Sequence, residues 1–372
     1  MSKARQLADL GNQVDDGAIT GTNMVINGGM TVAQRGVSAT GVNSSGYYTV
    51  DRFRVRHDTS STSTLEQVSD APNGFNNSLK LTTTSAGSIG SNESLRFDHM
   101  IESRDLQQLK FGTSDAATFT ISFWVKSSIA GNYSLNVYQF DGSKQVNDTY
   151  TINTANTWEY KSITFIGNTG NANANDSSSG FEVAWFMAAG SSIGTGSQLT
   201  SWTSYTGANY GVGQAVDISG TTGATFQITG VCLNVGDSAI DFPHESYAET
   251  LAKCQRYTYI ISGAGYTPAT DSAYARYFMF GTGSTSAKWL APLPVPMRST
   301  PSLITNNFTS STVQVYSYTD DAAKTLSSIS LAEGGIYQSQ VNFIVSGSGL
   351  GDTLTWRWNN SPAAYIGFEA EL

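Results

Sequence analysis

The chain has 372 residues, of which only 13% are charged, and it contains 37 glycines. This length suits two domains, and the low charge with many Gly, Ser, Thr and Asn residues is typical of strands joined by turns, which predicts an all-β protein. A net charge of -9 without a basic cluster argues against nucleic acid as a partner, and the lack of any long apolar run argues against membrane insertion.

Residues 1–22 form the first predicted segment. Within it, residues 3–10 (KARQLADL) can make about two helical turns with Leu7 and Leu10 on one side, after which Gly11 breaks the pattern. So little apolar surface does not fold alone. We expect either a disordered tail or a peptide that docks on another protein.

Residues 23–245 contain a series of short strand-like runs, beginning with NMVING at 23–28. The clearest is TFTISFWVKS, in which Phe119, Ile121 and Phe123 fall on one face and Trp124 falls on the other. Such alternation is typical of a half-buried strand. About nine runs of this kind, separated by polar loops, predict an N-terminal jelly-roll β-sandwich of two packed antiparallel sheets.

The segment 246–260 contains the local signals of a helix start and of a helical apolar stripe. Ser246 followed by Glu249 matches the capping box, and Tyr247, Leu251 and Cys254 recur at helical spacing. After Arg256 the composition turns aromatic and β-branched, which favours a strand. We therefore predict a short helical junction between two β-domains.

Strand signals resume in residues 261–372, where six runs occur before the last residue: ARYFMFG, SAKWLAPLPV, TVQVYSYT, YQSQVNFIVSG, LTWRWNN and AAYIGFEAEL. Their spacing predicts a second, smaller C-terminal β-sandwich domain.

The stretch from Phe226 to Tyr257 resembles a signature of bacteriophage tail-fibre and related tail proteins. NMVINGGMTVAQRG, YTVDRF, PVPMRSTPS and AAYIGFEAEL resemble other parts of the same proteins. The matching positions are Phe226, Gln227, Ile228, Thr229, Gly230, Val231, Leu233, Val235 and Gly236 in the strand part, and Phe242, His244, Tyr247, Glu249, Leu251, Cys254, Gln255, Arg256 and Tyr257 after it.

This resemblance implies a tail fibre or receptor-binding protein of the virion, assembled in the host bacterial cytoplasm. It implies attachment to other phage tail proteins through residues 1–22, with Leu7 and Leu10 as candidate contacts, a carbohydrate-binding-like jelly roll, a distal β-domain and a homotrimer. The expected ligand is bacterial surface polysaccharide. The alternative is a structural tail decoration or connector protein that binds no glycan.

The sequence offers little for catalysis. His57, His99 and His244 are not spaced as metal ligands, and no nucleophile elbow or phosphate-binding loop occurs. We expect no enzymatic activity, no cofactor and no metal. Paired carboxylates of the glycosidase kind stay open, because distances between acidic side chains cannot be read from sequence.

Sugar binding requires flat apolar rings beside polar side chains, since rings pack on the C–H face of a pyranose and polar groups bond its hydroxyls. The loop SWTSYTGANYG offers Trp202, Tyr205, Asn209 and Tyr210, and the alternative for Trp202 and Tyr205 is that they cover the edge of the sandwich core. The second domain offers two further pairs. They are Tyr316 with Tyr318, and Trp356 with Trp358, of which the tryptophan pair is more typical of a core or a subunit interface.

Overall fold

A computed structural model describes residues 22–262, 277–283, 285–346, 353–358 and 364–372, without the side chains of Arg357 and Trp358. Leu7 and Leu10 lie outside these residues. The chain divides into two compact units, of which unit 1 runs to Thr250 and also includes Leu372, and unit 2 runs from Leu251 to Glu371.

Unit 1 is built from strands of five to eleven residues and one two-residue strand. They are β1 (Ser38–Val42), β2 (Phe53–His57), β3 (Thr62–Val68), β4 (Ser78–Ser85), β5 (Ser94–Glu102), β6 (Phe119–Ser127), β7 (Gly131–Gln139), β8 (Lys144–Ile152), β9 (Glu159–Phe165), β10 (Ser179–Ala189), β11 (Thr203–Ser204) and β12 (Thr225–Val235).

These strands form two six-stranded antiparallel sheets. Sheet A has the order β1-β3-β4-β12-β6-β9, and sheet B has the order β11-β8-β7-β10-β5-β2. Their inner faces share one apolar core, to which β6 contributes Phe119, Ile121 and Phe123 and β10 contributes Phe181 and Trp185, all fully buried. The alternation in β6 is therefore confirmed, and unit 1 is a β-sandwich of jelly-roll type.

The run NMVING is a turn rather than the predicted strand. Asn27 has a φ of 62°, and its side-chain amide donates to the carbonyl oxygens of Val32 and Asp51, each at 2.9 Å. Its Oδ1 accepts the backbone N–H groups of Thr31 and Val32 at 2.9 and 3.0 Å. These side-chain bonds hold the segment in a turn. It contacts strand β12 through two backbone bonds, in which the Met24 N–H donates to the Leu233 carbonyl oxygen and the Val231 N–H donates to the Gly28 carbonyl oxygen, each at 3.0 Å. The segment is therefore not the predicted strand.

The predicted helix forms as α1 (Tyr247–Gln255). Glu249 accepts the Ser246 N–H at 2.9 Å, and the Ser246 hydroxyl accepts the Glu249 N–H at 3.3 Å, which is the reciprocal pattern of a capping box. Cys254 is fully buried, as expected for a member of the apolar stripe of this helix. Tyr247 is 60% exposed, so the prediction that it belongs to this stripe is wrong.

Unit 2 contains a three-stranded sheet and a seven-stranded sheet. Its strands are β13 (Thr258–Ser262), β14 (Tyr277–Gly283), β15 (Ser286–Pro292), β16 (Ser302–Asn306), β17 (Val313–Ser317), β18 (Ala322–Lys324), β19 (Leu326–Glu333), β20 (Gln338–Val345), β21 (Thr353–Trp358) and β22 (Tyr365–Glu369). The orders are β13-β22-β16 and β18-β17-β21-β14-β15-β20-β19.

Both sheets of unit 2 contribute to one core, in which Ile366 and Phe368 of β22 join Trp289, Phe343 and Trp356 of the larger sheet. The prediction of an all-β chain with a short helical segment is thus confirmed. No helix in the described part of the chain is both long enough and apolar enough to cross a membrane.

Candidate functional site

The outer face of sheet B carries a row of residues that crosses five strands and is polar on every strand except β10, where it contains Ala184. Cross-strand pairing aligns Arg54 with Asp98, Asp98 with Ala184, Ala184 with Asn136, and Asn136 with Asn147. Because side chains alternate between the faces of a sheet, all of these residues lie on the side opposite the apolar core. The outer face of sheet B is therefore mixed, because these polar side chains share it with a small buried cluster of Ala184, Phe186, Ile193 and Tyr210.

Four charged residues on this face form a compact network. Arg54 contacts Asp98 at 2.8 Å and Glu182 at 3.1 Å, while Arg96 contacts Asp98 at 2.8 Å and Glu182 at 3.7 Å. The Tyr210 hydroxyl also donates to Glu182. Two positive and two negative side chains thus neutralise one another, which offsets much of the cost of burying them.

The network shifts the pKa values of its members. Burial and then the nearby charge of Asp98 raise the pKa of Glu182, against the opposing effect of Arg96. Burial lowers the pKa of Arg54, but the charge of Asp98 outweighs it, so the pKa is raised. Burial also raises the pKa of Tyr210. Both arginines therefore stay positively charged, and Tyr210 stays a neutral hydrogen-bond donor.

Aromatic rings lie directly beside this network. Tyr138 is the cross-strand neighbour of Glu182, and its ring meets those of Phe140 and Tyr205 edge to face, with centroids 4.8 and 5.4 Å away. Tyr205 in turn meets Tyr210 at 5.5 Å. Phe140 is 36% exposed and Tyr205 is 46% exposed. We call Arg54, Tyr138, Phe140, Glu182 and Tyr205 together the sheet B surface.

Strand β8 holds the loop that presents Tyr205. The Tyr205 N–H donates to the Ser143 carbonyl oxygen at 2.9 Å, and the Gln145 amide donates to the Thr206 carbonyl oxygen at 3.0 Å. Asn147 accepts the Leu199 N–H at 3.0 Å. These bonds on either side of Tyr205 fix its position over the sheet, so its ring is exposed without being mobile on a free loop.

The other predicted residues of this loop have different surroundings. Trp202 packs against Phe111 and Phe181 at 5.4 and 5.8 Å, and its indole N–H donates to the Ile166 carbonyl oxygen at 2.7 Å. Asn209 accepts the Ser197 N–H at 3.1 Å within the loop. Tyr210 is only 7% exposed. Of the four residues, Tyr205 offers the most accessible ring.

The candidates in unit 2 also differ from one another. The rings of Tyr316 and Tyr318 meet edge to face at 5.5 Å, and Tyr318 is 47% exposed. Trp356 is fully buried, where it stacks on Tyr277 at 4.3 Å and meets Trp289 at 5.1 Å. The side chain of Trp358 lies outside the described residues. The ring of Trp356 is thus part of the core of unit 2.

Sequence reasoning missed four members of the sheet B surface, namely Arg54, Tyr138, Phe140 and Glu182. Tyr138 alternates with buried Val137 and Gln139 in β7, and Glu182 lies between buried Phe181 and Val183 in β10. Alternation could have placed each side chain on an outer face. The pairing of β7 with β10, which brings them together, has no signal in a single sequence.

Within the described part of the chain, no group of three His, Cys, Asp or Glu residues is arranged to hold a metal ion. His244 instead packs between the rings of Phe75 and Phe242, at 5.2 and 5.0 Å. His99 is fully buried, and burial followed by the positive charge of Arg52 lowers its pKa well below the usual range.

No protein-family model and no curated protein sequence matches the chain. Solved structures with a similar arrangement include the enzymatically active domain of tailspike protein 4 from bacteriophage CBA120, at 14% identity and a TM-score of 0.31, with 57% of this chain and 21% of that chain covered. The chain therefore spans about a fifth of that tailspike chain.

Several carbohydrate-binding modules are also similar in structure to part of this chain. A family 4 module has 14% identity and a TM-score of 0.27, with 57% of this chain and 99% of that chain covered. A family 11 module from Clostridium thermocellum, in complex with a mixed-linked tetrasaccharide, has 10% identity and a TM-score of 0.27, with 53% and 96% covered. At such low TM-scores the function of this chain has to be inferred from its own residues.

Proposed function

We propose that the chain is a bacteriophage tail fibre protein, attached to the virion through residues 1–22, and that unit 1 recognises host surface polysaccharide through the sheet B surface. The resemblance of residues 226–257 to tail-fibre proteins supports the first part. The second part is supported by one observation above all, the exposed rings of Phe140 and Tyr205, which both contact Tyr138, the cross-strand neighbour of Glu182.

The proposed contacts follow from the chemistry of a sugar ring. A pyranose has an apolar C–H face, which packs on an exposed aromatic ring such as Tyr205 or Phe140. Its hydroxyl groups both donate and accept hydrogen bonds. Arg54 can donate to them, since its side chain is 19% exposed, whereas the side chain of Glu182 is only 8% exposed and serves to hold Arg54 in place. Because Arg54 and Arg96 already hold Glu182 in place, the site is ordered before a sugar arrives.

We further propose that this surface binds without cleaving. Hydrolysis of a glycosidic bond requires two carboxyl groups that flank the bond. The second carboxylate near Glu182 is Asp98, whose side chain is fully buried and bonded to both Arg54 and Arg96. It therefore cannot flank a bound sugar. Incubation of the full chain with a polysaccharide that it binds should leave the length of that polysaccharide unchanged, as measured by size-exclusion chromatography.

Binding of the full chain to an immobilised panel of bacterial surface polysaccharides tests the proposal. Tyr205→Ala should weaken binding by about tenfold or more, which corresponds to about 1.4 kcal/mol for a ring at the centre of a contact. Tyr337→Ala is a matched control, because Tyr337 is a 68% exposed tyrosine of unit 2. It should bind as the parent does.

Two results would contradict the proposal in different ways. Equal binding by the parent and Tyr205→Ala would remove the sheet B surface from the contact. No binding to any polysaccharide, with the parent folded, would favour the structural decoration or connector protein instead. The homotrimer is part of the same proposal, and sedimentation equilibrium should give about three times the chain mass of 39.6 kDa.

A further inference from the structure

The outer face of sheet A contains a groove that is separate from the sheet B surface. It has a volume of about 700 Å³ and lies over strands β6, β9 and β12, between the segments 73–75 and 239–244. This volume is within the range of roughly 300–1,000 Å³ that is typical of small-molecule sites. We call it the sheet A groove and define it by Trp124, Tyr160, Phe75, Phe242 and Asp241.

Two rings form the wall of the groove on one side. Trp124 of β6 and Tyr160 of β9 are cross-strand partners, and their ring centroids are 5.4 Å apart. Tyr160 is 45% exposed, so its ring does not serve to fill the core. The two ring planes are inclined by 55° to each other, so the pair forms an angled apolar surface that a pyranose can contact through either ring.

A bulge in β12 makes room for the groove. The register between β12 and β6 shifts between Thr229 and Cys232, and Gly230 in this interval has a φ of 61°. A Cβ atom at Gly230 would lie 2.7 Å from the Phe75 ring and 3.1 Å from the Trp124 ring. The absence of a side chain here therefore lets both rings approach the strand, and the backbone forms the floor between them.

Three more rings close the far side. Phe75, Phe242 and His244 contact one another with centroid distances of 5.0 to 5.2 Å. Such a cluster supports itself, so the wall is formed before any ligand binds. The groove is thus bounded by rings on two sides.

The polar groups and the charge of the groove identify the ligand class. Tyr160, Trp124 and Asp241 line it, and within the described residues no hydrogen bond occupies the hydroxyl, the indole N–H or the carboxylate. No lysine or arginine is among the described lining residues. Rings with spare donors and acceptors suit a sugar, and a lone carboxylate without a cation disfavours an acidic one.

We propose that the sheet A groove binds a neutral saccharide, with a pyranose ring packed on Trp124 and Tyr160 and its hydroxyls bonded by groups such as Asp241. This site would act independently of the sheet B surface, and the inference does not rest on that surface binding a glycan. It would give unit 1 two saccharide sites on opposite faces of its sandwich.

The test follows the indole ¹H–¹⁵N resonance of Trp124 in the full chain, assigned with Trp124→Phe. The probes are the methyl glycosides of glucose, galactose, mannose and N-acetylglucosamine, each titrated to about 100 mM. This concentration detects binding even when the dissociation constant is in the millimolar range or above. At least one probe should shift the resonance in a saturable way. Methyl glucuronide should shift it less.

Variants separate the two sites. Tyr160→Ala should weaken the response about tenfold or abolish it, and Tyr160→Phe should retain most of it because the ring remains. Tyr205→Ala, on the sheet B surface, should leave it unchanged. No shift with any of the four neutral probes would overturn the inference, as would an equal or larger response to methyl glucuronide. Loss of the response in Tyr205→Ala would show that the groove is not an independent site.

The two proposals fail separately. The polysaccharide panel reports on the sheet B surface through Tyr205, whereas the Trp124 resonance reports on the groove alone. A parent that binds no polysaccharide on the panel but shows the Trp124 shift would contradict the proposed function and support the groove.

Discussion

Replacement of Gly230 by alanine tests whether the bulge in β12 is needed for the rings above it. Two costs are expected. An alanine at a φ of 61° is strained by about 1–2 kcal/mol, because a Cβ atom in the left-handed region crowds the backbone. The new Cβ would also lie 2.7 Å from Cζ of Phe75 and 3.1 Å from Cδ1 of Trp124, which is closer than side-chain atoms pack.

Relief of that clash requires Phe75 to move, since Trp124 is held by its strand. Movement of Phe75 would disturb its contacts with Phe242 and His244, at 5.0 and 5.2 Å. Overpacking of this kind costs about 1–3 kcal/mol. Together with the backbone strain, we expect Gly230→Ala to lower the free energy of unfolding of unit 1 by about 2–5 kcal/mol.

Gly223→Ala is the matched control. Gly223 has a φ of 84°, but no atom lies within 4 Å of the position that its Cβ would take. The control therefore carries the backbone strain without the clash. Urea denaturation of the parent and of both variants measures the free energy of unfolding of unit 1 in each. The transition of unit 1 is the one that both variants shift. Equal destabilisation by the two variants would refute the clash, and with it the close approach of Phe75 and Trp124.

Two further predictions concern single ionisable groups. Burial acts to raise the pKa of Glu159, but hydrogen bonds from Lys161, Thr154 and Asn153 outweigh it and lower the pKa from 4.5 to about 2. Glu159→Gln should therefore lower the free energy of unfolding by a constant amount above about pH 4.5, and this loss should disappear as the pH falls towards 2. A loss that is the same at every pH, measured by urea denaturation of parent and variant, would contradict the prediction. Burial raises the pKa of the Cys232 thiol to about 12, so little of the reactive thiolate is present at pH 8. Mass spectrometry should therefore find Cys232 unmodified by iodoacetamide in the native protein and modified in urea. Rapid modification of the native protein would contradict the burial of this thiol.

Much of the fold could be predicted because burial imposes a period of two on strands. The alternation in β6 and the apolar residues of β10 and β12 identify these strands without any knowledge of their partners. Strand β8 (KQVNDTYTI) was missed, because its outer-face residues are polar and its inner face contributes only a few apolar side chains. The turn at 23–28 was missed because the side chain of Asn27 holds it by bonds to residues 31, 32 and 51, which composition does not reveal.

The candidate site was predicted less completely, for a physical reason. The local sequence predicts that Tyr205 and Tyr210 lie in one loop. It does not reveal that Tyr205 is 46% exposed whereas Tyr210 is 7% exposed. That difference comes from Arg96 and Glu182 beneath Tyr210, which belong to strands far away in sequence. Side chains from distant strands meet according to register, and a single sequence does not specify register.

The two outer faces of the sandwich differ in how their polar and aromatic groups are arranged. On sheet B the charges of Arg54, Arg96, Asp98 and Glu182 are paired with one another, so only ring faces and a few partly exposed polar atoms remain for a ligand. On sheet A the backbone at Gly230 forms the floor, and the polar groups belong to the lining side chains of Trp124, Tyr160 and Asp241.

Each arrangement offers a few contacts to one or two sugar rings, and contacts of this size favour weak binding at a single site. Weak sites gain strength when several engage the same repetitive polymer, because after the first contact the later ones are effectively intramolecular. Sites on opposite faces of one sandwich cannot contact one short straight segment of polysaccharide. If both sites operate, they would therefore engage separate chains or distant parts of one chain, which suits adhesion to a dense polysaccharide layer better than recognition of an isolated oligosaccharide.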